Sequence, residues 1–170
     1  MKSSPKLKGE KWVVNASPVI ALGRVGQAGL LLHLPQQVII PQAVAEEISV
    51  GPTNDPARQV VESGLFRIFE TPPAPPEILA WDLGKGETAV LSFALANPDW
   101  TAILDDGAAR RCARSFSLSM TGTLTVVILA KQHGLIESAA QVLRALQSND
   151  FRLDEAVIRS VLERTVGENW

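Results

Sequence analysis

The chain has 170 residues, a formal net charge of −2, 46% apolar residues and 20% charged residues. This length fits one domain with a substantial core, and the composition is that of a globular protein, which excludes a disordered chain. A nearly neutral protein has no overall attraction for nucleic acid, so binding of RNA or DNA would depend on a local basic patch.

The cysteine and histidine content limits the possible chemistry. Cys112 is the single cysteine and forms no internal disulfide, which suits a reducing compartment. His33 and His133 have no partner at a zinc-ligand spacing. The apolar run after the basic N-terminus is interrupted by Asn15 and Arg24, unlike a secretory signal. We therefore predict a cytoplasmic protein with neither a zinc site nor a membrane helix.

The N-terminal part predicts a strand that leads into a helix. Residues 1–11 are polar and basic and predict a flexible arm. Residues 12–14 form a short apolar run typical of a buried strand. Ser17 and Pro18 favour a helix start, and the helical spacing continues to about residue 34. Asn15 therefore lies where the first strand meets the first helix.

A second strand, residues 38–40, is followed by a helix with the adjacent acids Glu46 and Glu47. Neighbouring helical residues point about 100° apart, so at most one of these glutamates faces an inward site. Residues 55–63 predict a further helix and residues 65–69 a further strand. The proline-rich residues 71–77 that follow predict an extended connection.

The stretch from residue 84 to residue 114 is the centre of the prediction. A helix begins beside Glu87, and a strand over residues 99–104 then ends in Asp105 and Asp106. The next helix, residues 107–115, carries three arginines. They are Arg110, Arg111 and Arg114.

Helices complete the chain. Residues 117–123 lead into an apolar helix that ends at Gly134, and helical patterns follow over residues 138–146 and 153–163. Short apolar strands that alternate with helices predict an α/β fold with a central parallel sheet flanked by helices. We assign residues 12–146 to this domain and residues 147–170 to a helical C-terminal extension.

Five oxygen-bearing side chains follow predicted strands or lie on the adjoining helices. They are Asn15, Glu47, Glu87, Asp105 and Asp106. Parallel strands bring such positions to one edge of the sheet, and Mg²⁺ and Mn²⁺ prefer oxygen ligands. Spacing alone leaves a second interpretation open, because acids at helix starts also serve as N-caps.

Five segments, kept in this order, resemble the PIN domain family. They read VVNASPVIAL (13–22), IIPQAVAEEI (39–48), GETAVLSFAL (86–95), AILDDGAARRCA (102–113) and TGTLTVVILAKQHGLI (121–136). The resemblance implies a three-layer fold and a metal-dependent ribonuclease with acidic side chains around one or two Mg²⁺ or Mn²⁺ ions. It also implies that the protein is the toxin of a type II toxin-antitoxin pair, with an RNA substrate and a small antitoxin partner; we further expect a homodimer.

The resemblance also assigns roles to residues. It places metal ligands at Asn15, Glu87 and Asp106, with Asp105 as the open alternative to Asp106. Glu47, Glu87, Asp105 and Asp106 form the implied catalytic set, and Ser17 and Thr123 support it. Arg110, Arg111 and Arg114 would steer RNA, although three arginines on one helix are equally typical of a solvated face.

Asn15 departs from the family pattern, in which most active members carry aspartate. Loss of one negative charge predicts weaker metal binding. The alternative function is therefore a catalytically weakened PIN-like binding module. A phospho-receiver domain also has an acidic pair at a strand end, but on its first strand, whereas here the pair comes late.

Overall fold

Strands and helices alternate along the chain in the computed structural model, which describes residues 6–170. The strands are β1 (Leu7–Val14), β2 (Pro35–Pro41), β3 (Arg67–Phe69), β4 (Thr101–Ile103) and β5 (Met120–Thr121). The helices of the described residues are α1 (Ala16–Arg24), α2 (Gly29–His33), α3 (Gln42–Ser49), α4 (Pro56–Glu62), α5 (Pro76–Leu79), α6 (Lys85–Ala96), α7 (Gly107–Ser115), α8 (Thr123–Gln132), α9 (Ala139–Ser148) and α10 (Glu155–Thr165).

The five strands form one sheet in the order β3, β2, β1, β4, β5, and every pair is parallel. The central strand β1 ends in Trp12, Val13 and Val14, which are at most 1% exposed. A parallel sheet is covered on both faces, so the buried ends of its inner strands β1 and β2 are apolar without alternation. The predicted α/β fold with a central parallel sheet is confirmed.

The strand order reverses between β1 and β4. From β1 the chain proceeds to β2 and β3 on one side, and it then returns to β4 and β5 on the other side. In open α/β sheets, ligands bind outside the carboxyl ends of the strands at such a switch point. The strand order also differs from the 2-1-3-4-5 order of receiver-type domains, which excludes a phospho-receiver fold.

The first strand is longer than the sequence predicts. It begins at Leu7, whose N–H donates to the Leu34 carbonyl at 2.7 Å, and not at Trp12. The predicted flexible arm is therefore replaced by sheet over residues 7–11, while residues 1–5 lie outside the described part of the chain. The register shifts between Leu7 and Lys11, and Gly9 has a φ of 79°, so this half of the strand lacks a regular apolar pattern.

Three further elements differ from prediction. The helix expected up to residue 34 is divided into α1 and α2, because Gly26 adopts a φ of 72° that ends the first helix. The short edge strand β5 is not signalled by the polar sequence around it. The proline-rich segment ends in α5, which begins at Pro76, since proline is well tolerated in the first turn of a helix.

The C-terminal region is helical, as expected, and packs on the same core. Ile158 and Leu162 of α10 are fully buried, and α10 lies against α8. The predicted boundary at residue 146 falls inside α9. No helix among residues 6–170 combines the length and apolar character needed to cross a membrane.

Glu168 fixes the end of the chain to α9. Its carboxylate accepts hydrogen bonds from the Ser138 hydroxyl at 2.7 Å and from the N–H groups of Ala139 and Ala140 at 2.9 and 3.1 Å. Partial burial opposes ionisation, but these hydrogen bonds and nearby Lys131 outweigh it and lower the pKa of Glu168 below 4.5. The ionised carboxylate therefore stabilises the start of α9.

Glu168→Gln should lower the free energy of unfolding by roughly 1 to 2 kcal/mol at pH 7, because a charged acceptor is lost. A depressed pKa stabilises the fold above the unfolded-state pKa and loses this effect as pH falls through the folded-state pKa. The difference between the variant and the wild type should therefore shrink below about pH 4.5. Urea denaturation between pH 7 and pH 3 measures it; a difference independent of pH would contradict the assignment.

Candidate functional site

Asn15 stands at the switch point between β1 and β4. Its backbone N–H donates to the Ile103 carbonyl at 3.1 Å, which joins the ends of the two strands. Its side chain is 1% exposed, and Nδ2 donates to Glu87 Oε1 at 3.4 Å. Oδ1 is buried and has no hydrogen-bond donor among residues 6–170. A buried carbonyl oxygen without a donor is costly, so this atom marks a place for a ligand.

Glu47 and Glu87 meet beside Asn15 because Gly86 lets their helices approach closely. A Cβ atom added to Gly86 would lie 2.6 Å from Glu47 Oε2 and 3.3 Å from Asn15 Oδ1. The neighbouring Glu46 accepts a hydrogen bond from Gln42 Nε2 at 3.3 Å. Of the adjacent glutamates, Glu47 is the one whose carboxylate lies beside Gly86 and Asn15, at the position that the family resemblance implies.

The two glutamates interact electrostatically. Partial burial, followed by the repulsion of Glu87, raises the pKa of Glu47. Glu87 lies in the first turn of α6, where the helix dipole favours a negative charge. Its Oε2 folds back over Gly84, where an added Cβ would approach it to 2.5 Å. Among residues 6–170, neither glutamate forms an ion pair with a basic side chain.

Asp105 occupies the other side of the switch point. Its Oδ1 accepts from the Thr123 N–H at 2.8 Å, and its Oδ2 accepts from the Thr123 hydroxyl at 2.6 Å. Burial raises the pKa of Asp105, although the Thr123 bonds, the Arg110 charge and the Ser17 hydroxyl each lower it. Ser17 and Thr123, both predicted as supporting residues, therefore converge on Asp105.

Asp106 has a different environment. It is exposed, and its Oδ2 accepts from the Ala109 N–H at 2.9 Å as the N-cap of α7. The sequence favoured Asp106 over Asp105 as a metal ligand. In the structure Asp105 is half-buried and hydrogen-bonded to Thr123, while Asp106 is exposed and caps α7, so the two acids have different environments.

The three arginines of α7 separate into different environments. Arg110 is partly buried, and its Nη1 donates to the Leu104 carbonyl at 3.0 Å beside Asp105. Arg111 is exposed and extends over Gly107 at the start of the helix. Arg114 is exposed in the last turn. Arg111 and Arg114 remain exposed to solvent, whereas Arg110 is hydrogen-bonded to the carbonyl of Leu104, which directly follows β4.

The donor atoms suit a hard divalent ion. Among residues 6–170, no three or more His, Cys, Asp or Glu side chains are grouped so as to hold a metal. The side chains that do converge are one amide, Asn15, and two carboxylates, Glu47 and Glu87. Mg²⁺ is usually bound by one or two carboxylates and keeps several waters, so this set fits it. The unpartnered Oδ1 and the space beside Gly86 both support that fit.

Comparison with known proteins identifies the class. The model of the PIN domain family matches residues 11–167. The chain belongs to the PIN domain family, which is a nuclease-like fold, and the resemblance visible in its sequence is confirmed. A search of curated proteins found no match to the chain.

Gly122→Ala should destabilise the protein by about 1 to 3 kcal/mol because it overpacks the Asp105 environment. The added Cβ would lie 3.0 Å from both Asp105 Oδ1 and Arg110 Nη1 and 3.3 Å from the Leu104 carbonyl. The backbone of Gly122, with φ −120° and ψ 179°, is open to any residue, so the cost is steric. Chemical denaturation measures it.

Gly107→Ala is the matched control at the same edge of the sheet. Its Cβ would meet only the Arg111 side-chain end, at 3.4 Å, so stability should change by no more than about 0.5 kcal/mol. Equal effects of the two substitutions would contradict the crowding around Asp105.

Proposed function

We propose that this protein is a Mg²⁺- or Mn²⁺-dependent ribonuclease. The observation that carries the proposal is the buried, unpartnered Oδ1 of Asn15 beside Glu47 and Glu87 at the switch point of the sheet. Membership of the PIN domain family and an oxygen-only donor set support it.

In this proposal, the residues on the two sides of the crevice have different roles. Asn15, Glu47 and Glu87 would hold the ion, which would supply Lewis-acid stabilisation of the phosphodiester. Asp105 faces the same crevice from the other side. In this role Asp105 would hold and release a proton, and Thr123 fixes the direction of both its oxygens.

RNA is the proposed substrate, and exposed arginines supply its contacts. Arg111 and Arg114 attract phosphate groups, whereas Arg110 stays with Asp105. The toxin role, a small antitoxin partner, a homodimer and a cytoplasmic location complete the proposal. They are supported by the family resemblance and the single cysteine, and co-purification with the product of the neighbouring open reading frame tests the partner.

One observation favours a second candidate, a PIN-like binding module without nuclease activity. Asn15 stands where most active relatives carry aspartate, which removes one negative charge from the ligand set. The acids of residues 6–170 do not form a group of three around one point. This candidate predicts no metal-dependent cleavage at any ion concentration.

Purified protein at millimolar Mn²⁺ should cleave a mixed RNA pool, and chelation by EDTA should abolish the cleavage. Glu87→Gln and Asp105→Asn should each lower the rate at least about tenfold, since even outer-shell changes at metal sites cost this much. Asp106→Asn is the control, because asparagine caps a helix as well as aspartate does and the variant should retain activity.

The outcomes separate the candidates. Equal cleavage by wild type, Glu87→Gln and Asp105→Asn would indicate a contaminating nuclease and contradict the proposal. If Asp106→Asn loses activity and Asp105→Asn keeps it, the catalytic role belongs to Asp106 and not to Asp105. Absence of cleavage in the wild type at any Mn²⁺ concentration would favour the binding module.

Gly86→Ala should weaken Mn²⁺ binding at least about tenfold while the free energy of unfolding changes by no more than about 1 kcal/mol. The added methyl group would occupy the space between Glu47 and Asn15. Alanine in place of glycine favours a helix, and the flexible end of Glu47 can move away, so the fold tolerates it. Isothermal titration calorimetry and thermal unfolding measure the two effects.

Gly29→Ala serves as the comparison, because it is a helical glycine whose added Cβ would meet only the His33 ring, at 3.4 Å. It should leave Mn²⁺ affinity unchanged. Unchanged affinity in Gly86→Ala as well would contradict the position proposed for the ion.

A further inference from the structure

We propose that Asn15 allows the acidic site to fold without a metal ion: its amide N–H takes the place of a cation at Glu87, while its oxygen remains free as a neutral ligand. The inference rests on the proposed metal site for the role of the oxygen. Its consequence for the metal-free protein can be measured without any nuclease activity.

The geometry supplies both halves of this role. Nδ2 of Asn15 donates to Glu87 Oε1 at 3.4 Å, and Oδ1 faces the space beside Gly86 and Glu47 without a donor of its own. One side chain thus gives a hydrogen bond to one carboxylate and presents an acceptor toward the second. An amide carries its donor and its acceptor on separate atoms, whereas an ionised carboxylate has acceptors only.

Aspartate at this position would change the balance of charges. It has no N–H to donate when ionised, so a third carboxylate would face Glu87 and Glu47 in a place that is 1% exposed. Like charges at short range repel, and salt screens a buried charge less than an exposed one. An ion would relieve this repulsion, so such a site would depend on metal for its stability, whereas the present site does not.

Thermal unfolding in EDTA and in millimolar Mn²⁺ tests the inference. In EDTA, Asn15→Asp should lower Tm by at least about 3 °C relative to the wild type, the shift expected for a modest electrostatic loss in a chain of this size. Mn²⁺ should raise the Tm of Asn15→Asp by more than it raises that of the wild type, because an ion that binds the folded state stabilises it in proportion to its affinity.

The double variant Asn15→Asp/Glu87→Gln exchanges the amide and the carboxylate. It restores one N–H to oxygen hydrogen bond with the opposite direction and the original net charge. Its Tm in EDTA should return to within about 2 °C of the wild type. A merely steric role for Asn15 would not produce this recovery.

Gln42→Glu is the matched control on the surface. Gln42 Nε2 donates to Glu46 Oε1 at 3.3 Å, so this substitution also replaces an amide donor by a carboxylate beside a glutamate. Both residues are exposed, and solvent screens their repulsion, so Tm in EDTA should fall by less than about 1 °C.

A Tm of Asn15→Asp in EDTA equal to or above that of the wild type would overturn the inference, as would failure of the double variant to recover. Neither result depends on cleavage of RNA. If the wild type cleaves no RNA but the Tm pattern in EDTA holds, the proposed nuclease function fails and the role of the side-chain amide of Asn15 stands. If the protein cleaves RNA but the Tm pattern in EDTA is absent, the nuclease function stands and the inference about the Asn15 side chain fails.

Discussion

The hydrogen bond from the backbone N–H of Asn15 to the Ile103 carbonyl joins the ends of β1 and β4, and the position of the site depends on this junction. The chain leaves the two strands in opposite directions, so the connections diverge and a crevice opens above them. Asn15 enters the crevice from one strand and Asp105 from the other. Helices α3 and α6 then add Glu47 and Glu87, so four polar side chains from distant parts of the sequence share one edge of the sheet.

Close backbone approach is the second constraint. Gly86 leaves space between Glu47 and Asn15, and Gly122 leaves space between Asp105 and Arg110. Both glycines have backbone conformations that other residues adopt, so what they provide is the absence of a Cβ atom. The polar atoms approach one another only because these two positions carry no side chain. This explains how acids can converge at an edge that is otherwise well packed.

Much of this site follows from the sequence, because polar residues after apolar strands have to meet at one end of a parallel sheet. That reasoning predicts Asn15, Glu47, Glu87, Asp105 and Asp106 at this edge, and the structure brings Asn15, Glu47 and Glu87 together there. It does not separate Asp105 from Asp106, since the direction of each depends on where β4 ends and α7 begins, a boundary that periodicity defines only to within a few residues.

Contacts that form only when distant segments pack together were beyond prediction. The inward turn of Arg110 needs the Leu104 carbonyl and the gap at Gly122, and no local pattern signals either. The glycines that precede Glu87 and Thr123 in the GE and GT segments indicate close approach without identifying which side chain approaches. The start of β1 at Leu7 was hidden for a related reason: its irregular register with β2 removes the apolar alternation that marks a strand.

The two sides of the site differ in how far the protein compensates the charge of their carboxylates. Asp105 receives two hydrogen bonds from Thr123 and lies beside the Arg110 guanidinium, so the chain itself balances much of its charge. Glu47 and Glu87 repel each other, and Asn15 donates a long hydrogen bond, at 3.4 Å, to Glu87. Among residues 6–170 the protein therefore compensates the charge of Asp105 more fully than that of the glutamate pair, so the proposed ion would gain more binding free energy on the glutamate side.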